Sequence, residues 1–153
     1  MAGYSGTPLP QKLGIKAGAR VGISNEPPGF RATLGALPDG VVVEDAGVKG
    51  GARRYDVVVA FVTGTDELVA AFARLRKRLD PAGGLWIGWP KKKNAAGIST
   101  DVTETVVREV GLATGLVDNK VCAIDNTWSG LRFVVRLTDR PTAGGRRPSR
   151  STR

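Results

Sequence analysis

Three consecutive lysines follow a tryptophan and a proline, and Trp89-Pro90-Lys91-Lys92-Lys93 is the chain's most unusual chemical signature. Lysine ammonium groups hold phosphate or carboxylate as point charges, and an indole face can stack on a base. The segment stands just past the carboxyl end of an expected inner strand, where ligands of open α/β sheets tend to bind. A solvated basic loop beside a packed tryptophan accounts for the same residues. A second set joins Asp118-Asn119-Lys120 to Trp128-Ser129-Gly130-Leu131-Arg132. Its Asn-Lys pair is superficially similar to guanine-recognition motifs, but the order is reversed, with the aspartate ahead of the pair, and no phosphate-binding glycine-lysine loop accompanies it. A turn entering a strand, with Arg132 paired to Asp118 or Asp125, explains it as well. The anion- or ligand-binding candidates are therefore Trp89, Lys91, Lys92, Lys93, Lys120, Trp128 and Arg132.

Other chemistry is excluded by residue type. Histidine is absent, which removes triads with a histidine base, most zinc sites and any histidine pH switch. The carboxylates show no i, i+4 pairing around a cavity, so no metal site is expected. Cys122 lies in an apolar strand and reads as small core filler rather than nucleophile. Ser99-Thr100-Asp101 reads as a helix cap, not a catalytic hydroxyl. A carboxylate–lysine acid–base pair, Asp101 with Lys92 or Lys120, is conceivable. Nothing in the sequence selects it, and no catalytic residue is assigned.

The elements that must position these residues belong to about one domain's worth of chain, at 153 residues with 41% hydrophobic and 24% charged content. No apolar run approaches the roughly 18 residues that span a bilayer. Met1 to Ser5 show neither the basic start nor the apolar stretch of a signal peptide. A single cysteine permits no intrachain disulfide, so a cytoplasmic, reducing setting is expected. The net charge is +9, and from Thr138 onward five arginines face one acid, Asp139. Residues 138–153 hold no apolar side chain larger than alanine, so they are expected to form a disordered basic tail after a domain of residues 1–137.

Within the domain, strand and helix signals alternate. Arg20–Ser24 reads as a short strand ended by the turn-forming Asn25 to Gly29. Residues 30–37 form a weak helical segment before Pro38-Asp39-Gly40, and 41–43 a second strand running into Glu44-Asp45. Residues 55–62 are the strongest strand, continuously apolar from Val57, as expected for burial on both sheet faces. The spacing of Leu68, Phe72, Leu75 and Leu79 predicts a helix over 65–79, stopped by Pro81 and Gly83-Gly84. A strand over 85–89 follows. A second helix is predicted from Thr100-Asp101, with Asp101 and Glu104 at capping-box spacing and Val102, Val106 and Val110 inward. Residues 116–124 and 131–137 read as an antiparallel hairpin joined through Asp125, Asn126, Ser129 and Gly130. This order predicts an α/β fold with helices on both faces of a mostly parallel sheet and a C-terminal antiparallel hairpin.

Leu79-Asp80-Pro81-Ala82-Gly83-Gly84-Leu85-Trp86-Ile87 resembles the turn before the fifth strand of class I methyltransferases, and the closing hairpin resembles the end of that reduced Rossmann-like sheet. That resemblance implies a glycine-rich loop and an acidic residue holding S-adenosylmethionine. Here the loop is Ile23-Ser24-Asn25-Glu26-Pro27-Pro28-Gly29, without GxG spacing and with two prolines that remove backbone donors. Glu44 or Asp45 can still occupy the ribose-binding position. No cofactor of the usual kind is expected. More specifically, the chain resembles the actinobacterial domain of unknown function 3052 family over most of residues 3–137. Gly3-Tyr4-Ser5-Gly6-Thr7, Lys12-Leu13-Gly14-Ile15, Gly83-Gly84-Leu85-Trp86 with Trp89-Pro90-Lys91-Lys92, Val106 to Leu112, Gly115 to Cys122 and Trp128 to Phe133 carry it; it implies no activity. The leading expectation is a non-catalytic binding or regulatory module. The rivals are an enzyme on a phosphorylated or carboxylated small molecule, and a non-specific nucleic-acid binder using the lysine loop and the tail.

Overall fold

A computed structural model describes residues 7–47 and 54–139. The elements run α1 (Leu9–Leu13), β1 (Arg20–Ser24), α2 (Phe30–Leu34), β2 (Val42–Asp45), β3 (Tyr55–Phe61), α3 (Thr65–Leu75), β4 (Leu79–Pro90), α4 (Glu104–Ala113), β5 (Leu116–Ala123) and β6 (Trp128–Val135). They build one six-stranded sheet in the order β2-β1-β3-β4-β6-β5. The first four strands are parallel, while β6 runs antiparallel to both β4 and β5. The α/β class, the mostly parallel sheet and the closing antiparallel hairpin are as expected. β3 lies between β1 and β4, and its residues from Val57 to Phe61 are buried throughout.

Alternate strand residues feed two cores. Val57, Val59, Phe61 and Trp86 pack against Leu13, Phe30 and Leu34 of α1 and α2. Val58, Ala60, Leu85, Ile87 and Phe133 pack against Leu68, Phe72 and Leu75 of α3 and Val107 of α4 on the other face. Edge-to-face ring pairs fix each side: Phe30–Phe61 at 5.0 Å on one, Phe72–Phe133 at 4.9 Å on the other. Trp86 Nε1 donates to the Leu13 carbonyl at 3.0 Å, which ties α1 to the sheet.

Several local expectations are corrected. The helix predicted over 65–79 ends at Leu75, passes through a 3-10 turn at Arg76–Arg78, and gives way at Leu79 to β4. Pro81, Gly83 and Gly84 therefore lie within a strand instead of stopping a helix. The reason is close approach: a Cβ on Gly83 would lie 2.5 Å from the Asp56 carbonyl oxygen, and one on Gly84 would strike the Arg132 guanidinium. α4 begins at Glu104, capped by Thr103, whose Oγ1 accepts from the Val106 N–H at 3.2 Å. Asp101 caps the other helix instead, accepting from the Thr65 N–H at 3.0 Å. In α4 the deepest side chain is Val107, with Val106 and Val110 partly buried. β6 starts at Trp128, so Ser129 and Gly130 are strand residues and the turn occupies residues 124–127. Thr138 and Asp139 close a 3-10 turn begun by Leu137. The rest of the expected tail, 140–153, lies outside the described residues.

Candidate functional site

In a doubly wound sheet the chain leaves one strand toward opposite sides, and ligands bind beyond the carboxyl ends at that crevice. Here the reversal falls at β1, whose neighbours are β2 and β3. A cavity of about 570 Å³ opens there, lined by Ser24, Asn25, Glu26, Arg31, Asp45 and Arg74 among others. Its volume falls within the roughly 300–1,000 Å³ range of small-molecule sites. Strand ends supply Ser24 and Asp45, the β1–α2 turn supplies Asn25 and Glu26, and α2 and α3 supply the arginines.

The wall is polar and internally braced. Ser24 is the buried polar residue at the end of β1, and Arg74 donates to its Oγ at 3.3 Å. Arg31 pairs with Glu26 at 2.9 Å. Asp45 Oδ1 accepts from the Gly47 N–H at 2.7 Å, which orients the carboxylate beyond β2. Asn25 has φ +56°, the one left-handed non-glycine residue among the described residues, and its Nδ2 donates to the Phe61 carbonyl at 3.3 Å. Such backbone persists where surrounding structure holds it and concentrates at binding sites.

The two acidic candidates are the last residues of β2, and the structure separates their roles. Glu44 turns to the α3 face, where it accepts from Arg20 at 3.3 Å and from the Tyr55 hydroxyl at 3.3 Å. Arg78 donates to the same hydroxyl at 3.2 Å and lies over the Tyr55 ring. Burial pushes the Tyr55 phenol above its ordinary pKa. Asp45 alone of the pair lines the cleft.

The sequence candidates fall into two separate places. Trp89, Lys92 and Lys93 line a cavity of about 780 Å³ past the end of β4. Asn94 braces its loop, donating to the Lys91 and Ile98 carbonyls at 2.9 Å and accepting from the Ile98 N–H at 2.8 Å. Lys91 is half-buried and its N–H donates to the Thr127 carbonyl at 2.8 Å. Lys120 and Arg132 instead line a cavity of about 450 Å³ near Ala19, Asp56 and Ala82, at the amino ends of the parallel strands. Trp89 and Trp128 are 5% and 6% exposed, and both indoles are core side chains, Trp128 against Phe61 at 5.0 Å. Asp118 is held by Arg108 at 3.0 Å, and Asp125 accepts from the Thr127 and Trp128 N–H groups. Asp101 accepts from the Thr65 N–H at the start of α3. Cys122 is partly buried, and burial raises its thiol pKa against the opposing charge of Lys12.

Sequence reasoning missed Ser24, Arg31 and Arg74 as site residues. The signal for the first was present, because it ends the first strand of an alternating pattern. Arg74 had none, since only the packing of α3 brings it to Ser24 from 50 positions away. Among the described residues no cluster of potential metal ligands occurs, and no helix is long and apolar enough to cross a membrane.

Comparison with protein-family models gives no match, and comparison with curated proteins gives none either. Solved structures do match in fold. A SAM-dependent methyltransferase from Aquifex aeolicus aligns with TM-score 0.60 and 14% identity, over 82% of this chain and 87% of that one. The CcbJ methyltransferase from Streptomyces caelestis aligns with TM-score 0.54 and 13% identity, over 88% and 93%. The structure of a DhpI–SAH complex aligns with TM-score 0.58 and 13% identity, over 85% and 83%. The sheet is thus of the methyltransferase-like Rossmann type. The expectation of a non-catalytic module is corrected by these neighbours, several of which are SAM-dependent methyltransferases that this chain covers nearly end to end.

Proposed function

We propose that the protein is a methyltransferase that holds S-adenosylmethionine in the cleft between β1, β2 and α3. The observation that carries the reading is the 570 Å³ cavity at the reversal point of a methyltransferase-like sheet, with the Asp45 carboxylate beyond β2. The donor set fits the group. A carboxylate accepts hydrogen bonds from ribose hydroxyls, and the Gly47 N–H orients Asp45 for it. Arg74, steadied by Ser24, would bind the ligand's carboxylate. Asn25 would offer side-chain and backbone groups where the proline-containing turn lacks the usual glycine loop.

When bound, S-adenosylmethionine supplies an activated methyl group. The chain's own residues bind and orient, which suits a transfer governed by proximity and alignment. This reading replaces the expectation that no cofactor is held. Membership of the domain of unknown function 3052 family and a cytoplasmic setting, suggested by the quoted motifs and by the single cysteine, belong to the same reading.

Calorimetric titration with S-adenosylmethionine and S-adenosylhomocysteine tests it. Saturable binding of both is expected. Asp45→Asn should weaken binding about 10- to 150-fold, the worth of one hydrogen bond to a charged group at about 1.5–3 kcal/mol. No saturable binding of either ligand would sink the proposal.

A further inference from the structure

The cavity at the amino-terminal rim gathers four cationic side chains from four places in the chain. Lys12 comes from α1, Lys16 from the loop before β1, Lys120 from β5 and Arg132 from β6. Asp56 is the one carboxylate among the described lining residues, and its Oδ2 accepts from the Arg20 N–H at 2.9 Å. Two further features place the charges beside the cavity.

Lys120 and Arg132 are register partners across the β5–β6 pair. Like charges directly opposite one another destabilise an antiparallel pair. A register shift between Asp118 and Lys120 creates the pairing, since without it Asn119 would stand opposite Arg132. Bulges that re-aim a side chain are over-represented next to functional sites. The second feature is Gly84. A Cβ there would strike the Arg132 Nε, so glycine lets the guanidinium lie against the β4 backbone beside the cavity.

From these placements we propose that the cavity is an anion site, distinct from the cleft at the opposite rim, for a small ligand carrying adjacent phosphate groups. Three lysines and an arginine converging from four places on one cavity exceed what one carboxylate or a single phosphate needs. The cavity of about 450 Å³ suits a compact di- or triphosphate moiety, where a strand of nucleic acid calls for an extended basic stripe.

The test uses inorganic triphosphate and the full chain, read by calorimetry and by thermal midpoint. Triphosphate should bind saturably and raise the midpoint. Lys120→Gln and Lys16→Gln, both exposed positions, should each weaken it at least tenfold. Lys77→Gln, an exposed control on the 3-10 turn, should leave it unchanged. S-adenosylhomocysteine titrated into the same variants should be unaffected, which separates this site from the cleft. The proposal fails if triphosphate does not bind, or if Lys120→Gln and Lys77→Gln weaken it equally. Loss confined to Lys92→Gln or Lys93→Gln overturns it too. Tighter binding of a single-stranded RNA oligonucleotide through Lys16 and Lys120 would assign the surface to nucleic acid instead.

Discussion

Replacing Gly111 with alanine sets two physical rules against each other. In an exposed helix interior the change stabilises by about 1 kcal/mol, because glycine loses more backbone freedom on folding than alanine. Gly111 is instead the contact of α4 with the sheet. An added Cβ would lie 2.6 Å from Phe133 Cζ and 2.7 Å from Cδ2, and closer still to Cε2. The ring cannot swing away easily, for Phe133 is fully buried and held edge-to-face by Phe72 at 4.9 Å. Overpacking of this kind costs about 1–3 kcal/mol, and disturbing the aromatic pair adds about 0.5–1.5 kcal/mol. Gly111→Ala should therefore destabilise by about 0.5–3.5 kcal/mol net after the propensity gain. Urea unfolding followed by circular dichroism measures it. Phe133→Leu in the Gly111→Ala background should restore part of the loss, a coupling a double-mutant cycle resolves. A single variant as stable as the parent, or more so, would refute the packing argument.

Asp101→Ala should lower stability by about 0.5–2 kcal/mol through the lost cap of α3, and Thr103→Ala by a similar amount through α4; hydrogen exchange should report loosening at Thr65 in the first variant and at Val106 in the second. The raised Tyr55 pKa means the phenol is neutral in both states below about pH 10, and stability falls as pH rises from there toward the folded value. Alkaline unfolding should accordingly be shallower in Tyr55→Phe. Cys122, its thiol raised by burial, should react slowly with iodoacetamide at neutral pH and accelerate only above the ordinary thiol range, reaching the rate of a free thiol once urea unfolds the chain.

The fold was legible because its main signals are local. Continuous apolar residues from Val57 mark a strand covered on both faces, and the four-three-four spacing of Leu68, Phe72, Leu75 and Leu79 marks a buried helix face, even though Leu79 joins the next strand. Residue types settled a further part: without histidine and with one cysteine, whole classes of chemistry are absent. The methyltransferase resemblance points to the turn after β1 and to Glu44 and Asp45 as that family's cofactor positions, although the two prolines of the turn lead to the expectation that no cofactor of the usual kind is held.

What tertiary structure decided is which of those residues meet. Strand alternation sends Glu44 to Tyr55 and leaves Asp45 at the cleft. Asp101 reads as a cap by type, yet the fold assigns it to a helix that begins 36 residues earlier. Gly83 and Gly84 read as a helix stop until the approach of Asp56 and Arg132 shows why no side chain fits. Lys12, Lys16, Lys120 and Arg132 share no local pattern, and a one-residue register shift in β5 unites two of them. Pairing register and helix docking are sums over long-range contacts, and a window of neighbouring residues does not contain them.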